Sequence, residues 1–309
     1  MHRRQFVGTS AVAALSAAVG RLTPCANSIP RADTASVPFP FSVMLWTVEP
    51  KLSFDQRIAK VAEAGYHAVE LVEEYKDWSK ADFARARQQL HQLSIVVDAC
   101  SGIHSSLCDP TQREAFLAEI HGKLATLSEL ESSRLILLTG NRVPGLTKGQ
   151  MHSSCVEGLK RAADITATQT VELLLENIDP EENPQYFLTS VAEGFRVVRE
   201  VGNSRVRFLY DFFHEQLSEG NLIAKLEKHL ELIGLVHIAD VPGRHEPGTG
   251  EINYVNIFRK LGQLGYSQYV AMEFIATGET VATLRAAREF AIKYGTEGRA
   301  LASQRAEKE

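Results

Sequence analysis

From Phe41 onward the chain alternates between two hydrophobic patterns. Short runs of apolar and β-branched residues, with no polar face, give way to longer stretches whose apolar residues recur every three or four positions. The first pattern belongs to a strand buried on both sides, the second to a helix with one buried stripe. Strands are predicted at Phe41–Val48, Ala68–Val72, Ile95–Ala99, Arg134–Leu138, Val171–Leu175, Val206–Tyr210, Leu235–Ile238 and Tyr269–Phe274. Helices are predicted between them. Ser53 stands as an N-cap and Gly65 as a stop for the first; the second runs from Ser79 to Leu93, and the third begins after Pro110. Thr147 opens the fourth, and the fifth covers Pro184 to Val201. The last three start near Ser218, Asn253 and Glu279, the final one ending at Tyr294.

Eight strand–helix units in succession, with no linker and no second core, predict a single-domain α/β fold, the (β/α)8 or TIM barrel. A doubly wound open sheet would want a glycine-rich phosphate loop after an early strand. The first loop here, Glu49-Pro50-Lys51-Leu52-Ser53, has no glycine. The barrel is assigned to residues 37–296, with a leader over 1–36 and a polar tail over 297–309 expected to fray. In the leader, Arg3-Arg4-Gln5-Phe6 precedes a mild apolar run, Thr9 to Val19, an arrangement that resembles a twin-arginine export signal. A periplasmic or otherwise exported protein is expected; without a working leader it would stay in the cytoplasm. Cys25 sits where a lipid could attach, but Pro24 fits such a site poorly.

With 309 residues, 44% of them hydrophobic, the chain can bury one large core. Its formal charge of −5 argues against nucleic acid as a partner, since no basic stripe is present. No integral membrane span is expected in the mature chain, and homo-oligomerisation is left open. Cys100, Cys108 and Cys155 form no paired spacing and so no disulfide framework, although Cys100 and Cys108 could bridge in an oxidising compartment.

Four runs in the second half finish on a group that can hold a divalent metal: Glu176, Asp211, His237 and Glu273. A carboxylate or imidazole is costly in a doubly buried strand unless it is paired, hydrogen-bonded or metal-bound. Barrel enzymes place reactive groups at the carboxyl ends of strands, so these four, from strands five to eight, would converge on one side of the mouth. Three carboxylates and one imidazole make a hard, mostly oxygen set suited to Mn²⁺ or Mg²⁺, the nitrogen tilting the choice toward Mn²⁺. Trp46, ending the first strand, could wall a small substrate. Glu70, inside the second strand, and His104, beyond the third, carry less weight, a loop histidine being more often solvated than catalytic. Asn177 is positioned to hydrogen-bond Glu176, and Asp240 and Glu246 to order the seventh loop.

The stretch from His237 to Asn253, His-Ile-Ala-Asp-Val-Pro-Gly-Arg-His-Glu-Pro-Gly-Thr-Gly-Glu-Ile-Asn, resembles the seventh-strand loop of the hydroxypyruvate isomerase family. That family lies within the xylose isomerase-like barrel superfamily, and the resemblance runs from Phe41 to Tyr294. Related ketose 3-epimerases carry a shorter loop of similar kind, with an arginine before Pro-Gly-Thr-Gly. The resemblance implies that Glu176 and Glu273 are paired catalytic carboxylates that also ligate the metal, with Asp211 as a further ligand. It implies a ligand role for His237 in the epimerase manner, and contacts to substrate oxygens for His214 and Arg244. Glu182 matches a supporting carboxylate near the substrate, although Pro180-Glu181-Glu182-Asn183 departs from the family's pattern. The implied reaction interconverts hydroxypyruvate and tartronate semialdehyde, with a glutamate moving a proton through an enediolate stabilised by the divalent ion. Isomerisation or 3-epimerisation of another carbohydrate is the alternative, and a non-catalytic exported carbohydrate-binding barrel a third. A barrel endonuclease fits poorly, for it would need more histidine ligands and a cationic face.

Overall fold

The computed structural model describes residues 37–169 and 171–307, so the predicted leader and Cys25 lie outside the described residues. Eight parallel strands close into a barrel in chain order, β8 pairing back onto β1. They are β1 (Phe41–Met44), β2 (Ala68–Leu71), β3 (Val96–Cys100), β4 (Arg134–Leu137), β5 (Glu172–Glu176), β6 (Val206–Asp211), β7 (Ile233–Ile238) and β8 (Val270–Met272). The helices that wrap them are α1 (Phe54–Glu63), α2 (Lys80–Gln92), α3 (Arg113–Glu129), α4 (Lys148–Thr166), α5 (Val191–Val201), α6 (Phe212–Ser218), α7 (Leu222–His229), α8 (Tyr254–Gln263) and α9 (Thr280–Ala306). The (β/α)8 expectation is met. Capping boxes start α1, α2 and α4: Ser53 with Gln56, Ser79 with Asp82 and Thr147 with Gln150. No helix among the described residues is long and apolar enough to cross a membrane.

Alternate strand residues divide between two cores. Val43, Val69, Leu135, Leu173 and Val236 belong to the large core with the helices. A smaller cluster holds Met44, Ala68, Ala99, Ile136, Leu174, Leu209, Leu235 and Ala271. Its filling is uneven: β4 to β7 supply branched aliphatics, whereas β2, β3 and β8 supply alanines. Below it, at the start of the strands, lies an ionic cluster. Arg134 pairs with Asp98, with Glu172 at 3.0 Å and with the Gln268 amide oxygen at 2.9 Å; Arg207 reaches Glu172 at 3.4 Å and the Ile233 carbonyl.

Several boundaries differ from the sequence expectation. β1 stops at Met44, and Leu45–Thr47 form a 3-10 turn that carries Trp46. The stretch 184–190 is a loop rather than helix, because Phe187 N–H and Ile178 N–H are used in bonds to the Gly140 and Leu188 carbonyls. After β6 the chain becomes helical at once, since Asp211 caps Phe213 and His214. The segment read as a frayed tail is helical to Ala306. Its glycines allow the close approach: a Cβ on Gly298 would lie 2.0 Å from the Arg259 carbonyl oxygen. Cys100, Cys108 and Cys155 are buried free thiols.

Candidate active site

Glu176 ends β5, Asp211 ends β6, His237 lies one residue from the end of β7, and Glu273 directly follows β8. All four are buried, and one ligand atom from each lies within 4.8 Å of the others. The parallel register does this, pairing Glu176 with Leu209 and Asp211 with His237 across adjacent strands. His237 Nδ1 faces Glu273 at 2.7 Å and Glu176 at 3.8 Å. Asp211 divides its oxygens: Oδ1 accepts the Phe213 and His214 amides, while Oδ2 is buried with no hydrogen-bond partner.

The other sequence-predicted residues surround this cluster. Arg244 Nη2 lies 2.9 Å from Glu273 and 3.6 Å from Asp211, with its guanidinium over the rings of Phe213 and Trp46. Trp46 donates its indole N–H to Glu273 at 3.1 Å. His214 is buried, with Nε2 3.5 Å from Asp211 and Nδ1 2.7 Å from Asp179. Glu182 is exposed and pairs with Arg244 at 3.0 Å, so it stands at the rim. Asn177 is fully buried, but neither side-chain atom has a partner; the expected bond to Glu176 is not formed. His104 is exposed and bound to Glu73, apart from the cluster. Asp240 orders the seventh loop, accepting the amides of Val241, Gly248, Gly250 and Ile252. Gly250 is required there, for a Cβ would lie 2.0 Å from the Val241 carbonyl oxygen. Glu246 binds the amide and hydroxyl of Thr277, tying the loop to the chain beyond β8.

Two functional-looking groups received little or no weight from the sequence. Glu70 is completely buried and accepts from His237 Nε2 at 2.9 Å. Asp179 is likewise buried, holds His214 Nδ1 and turns the loop after β5 by accepting the Glu181 and Glu182 amides. An acid inside the apolar run Ala-Val-Glu-Leu was the available signal for Glu70. Asp179 had none beyond its nearness to Glu176.

The two glutamates are driven apart electrostatically. Burial pushes the Glu176 carboxyl up to about 8, against the pull of His237 and with help from Glu273. Burial acts the same way on Glu273, but Arg244 and His237 overcome it and hold that carboxyl far below the usual range. Burial opposes charge on His214 too, and Asp211 with the Asp179 bond outweighs it, pushing the imidazole up to about 9. A divalent cation suits the donor set. Glu70, Glu176, Asp211 and Glu273 are all buried, Arg244 is the permanent cation facing them, and Asp211 Oδ2 accepts no hydrogen bond although His214 and Arg244 lie 3.5 and 3.6 Å away.

Known proteins share this architecture. The family described as xylose isomerase-like TIM barrel matches residues 58–294. A hydroxypyruvate isomerase of Escherichia coli is 29% identical over 252 residues, covering 79% of this chain and 96% of the relative. A 2-oxo-tetronate isomerase of Cupriavidus necator is 29% identical over 238 residues, covering 75% and 91%. Among solved structures, one described as AP endonuclease, family 2, from Brucella melitensis superposes with a TM-score of 0.73 at 27% identity, over 80% of this chain and 97% of the other. With the closed barrel and a family match spanning β2 to β8 and their helices, the chain belongs to the xylose isomerase-like TIM barrel family.

Proposed function

We propose that this protein is a divalent-cation-dependent isomerase of small hydroxy-carbonyl acids, interconverting hydroxypyruvate and tartronate semialdehyde. The observation that carries the reading is the facing pair Glu176 and Glu273, with opposite protonation preferences, beside an Asp211 oxygen that accepts no hydrogen bond. Two relatives named as isomerases of 2-oxo acids support it. Glu273, ionised, takes the proton from C3 of hydroxypyruvate; the electron pair moves toward the C2 oxygen, giving an enediolate. Glu176, which favours its protonated form, delivers a proton to C2, while the oxygens exchange protonation. His214 donates to a substrate oxygen, and Arg244 offers its planar fork to the substrate carboxylate. Trp46 and Phe213 form an apolar wall under Arg244 that keeps the reacting atoms from water. A Mn²⁺ or Mg²⁺ ion held by Glu176, Asp211, His237 and Glu273 would supply Lewis-acid stabilisation of the developing oxyanion.

The test incubates the protein with hydroxypyruvate in D₂O, with Mn²⁺ and after chelation, following carbon-bound deuterium by NMR. Deuterium uptake with formation of tartronate semialdehyde is expected with Mn²⁺ alone. Lack of uptake with hydroxypyruvate and other hydroxy-keto acids would leave a binding barrel. A second reading, isomerisation or 3-epimerisation of a neutral sugar, is favoured by the placement of His237 among the ligand atoms. Uptake into ketoses but not hydroxypyruvate would select it. Export through a twin-arginine signal is proposed from Arg3 and Arg4; a reporter fused to residues 1–36 should lose export when both become lysine.

A further inference from the structure

We propose that Glu70 is a positioning residue that sets the tautomer and ring orientation of His237, so that Nδ1 is presented to the cation. The inference rests on the metal reading of the site. Glu70 lies in the middle of β2 and is 0% exposed, in a run where an apolar side chain would be the easy choice. A buried carboxylate is costly unless its oxygens are matched. Both are matched: Oε2 accepts from His237 Nε2 at 2.9 Å, and Oε1 accepts the Ser42 hydroxyl at 3.1 Å. Ser42 also lies 3.3 Å from Asp98, which Arg134 holds. Glu70 is thus braced through β1 and β3 against the ionic cluster at the far end of the barrel.

The partner of this bond lies on β7, with β8 and β1 between. Several inner positions around that gap are small, namely Ala68, Ala99, Ala271 and Ser42, although Met44 is the register partner of Glu70 on β1. A neutral imidazole has one N–H and one lone pair. With one N–H committed to Glu70, the nitrogen left for a cation is Nδ1, which here is hydrogen-bonded to Glu273 at 2.7 Å and lies 3.8 Å from Glu176, and whose lone pair is presented once a cation takes the place of that proton. A ligand histidine whose other nitrogen is bound to a carboxylate is fixed in ring orientation, and loss of that carboxylate typically weakens metal binding by about 10–100-fold.

The test titrates Mn²⁺ into wild-type protein, Glu70→Ala and Glu70→Gln by calorimetry, and records ¹⁵N spectra of histidine-labelled protein loaded with diamagnetic Mg²⁺. Wild type should show His237 protonated on Nε2. Glu70→Ala should bind Mn²⁺ about 10–100-fold more weakly and lose the single tautomer. Glu70→Gln, whose amide oxygen still accepts the N–H, should keep the tautomer, bind more tightly than the alanine variant, and shift the Nε2–H proton resonance upfield. A folded Glu70→Ala protein with a lowered melting temperature but unchanged Mn²⁺ affinity and tautomer would reduce Glu70 to a packing role and overturn the proposal. Should the alanine variant fail to fold, an unshifted Nε2–H resonance in Glu70→Gln overturns it instead. Wild-type protein that takes up neither Mn²⁺ nor Mg²⁺ would sink the metal reading and this inference together, an outcome visible before any variant is made.

Discussion

The two ends of the barrel interior hold similar chemistry in opposite states. At the strand starts, Asp98 and Glu172 meet Arg134 and Arg207, and none of their side-chain atoms is buried without a partner. At the strand ends, Glu70, Glu176, Asp211 and Glu273 face Arg244 and two histidines, and the buried Asp211 Oδ2 atom accepts no hydrogen bond. The lower cluster is closed, with charge matched to charge. The upper is less completely matched, and in that sense open: Asp211 Oδ2 lies 3.5 Å from His214 and 3.6 Å from Arg244 but accepts no hydrogen bond. Buried ions tolerate mismatch poorly, so an open cluster needs something brought to it, whereas a closed one only holds strands together. Residue types alone do not tell a site from a strut; the matching of atoms does.

The comparison breaks most visibly in rate. Glu273→Gln or Glu176→Gln should lower solvent-deuterium exchange by about 10²–10⁴-fold, the usual worth of a general acid or base. The melting temperature should hold in Glu176→Gln, which replaces a carboxyl that already favours its neutral form, and fall in Glu273→Gln, which strands Arg244 and His237. At the closed end, Arg134→Met should destabilise the fold by about 3–5 kcal/mol by stranding Asp98 and Glu172, read by urea unfolding. Its folded fraction should keep wild-type exchange per molecule. If both ends respond alike, the division into open and closed fails.

Smaller effects sharpen it. Mn²⁺ at about a hundred times its dissociation constant should stabilise the protein by about 2.7 kcal/mol, and that gain should vanish in Asp211→Asn. Arg244→Ala should raise KM for an acidic substrate by about tenfold, as expected for a lost charge-assisted hydrogen bond, and much less for a neutral sugar. Equal increases would favour the sugar reading. The smallest effect is in pH. Folded, metal-free Glu176 keeps its proton to about 8, whereas an ordinary solvated glutamate releases it near 4.5. The metal-free fold should therefore lose stability as pH rises from about 4.5 to 8, and Mn²⁺ affinity should rise over the same window as the cation displaces that proton. A flat affinity between pH 6 and 8 would place the displaced proton elsewhere.

Much of the architecture was legible in the one-dimensional pattern. The eight apolar runs correspond to β1 to β8, and Ser53, Ser79 and Thr147 cap the helices where they stand. The strand-end groups Glu176, Asp211, His237 and Glu273 were legible because an acid or imidazole at the close of an apolar run is conspicuous. The helical tail was not: its polar residues carry no stripe, and the contact that orders it depends on backbone approach at Gly298 and Gly262. Nor was the loop 184–190, whose backbone bonds go to Asn183 and Ile178 in its own connection and to Gly140 and Arg142 after β4.

By itself, then, the chain determined which segments become strands and helices, and which polar groups sit at strand ends, because hydrophobic period and capping act over a few residues. Only the closed barrel decided who meets whom. Glu70 reaches His237 across β1 and β8, Arg244 folds back over Trp46 onto Glu273, and Asp211 spends one oxygen on a helix start while the other, near His214 and Arg244, accepts no hydrogen bond. Such matches depend on the register and spacing of strands distant in sequence, and no local pattern carries that distance.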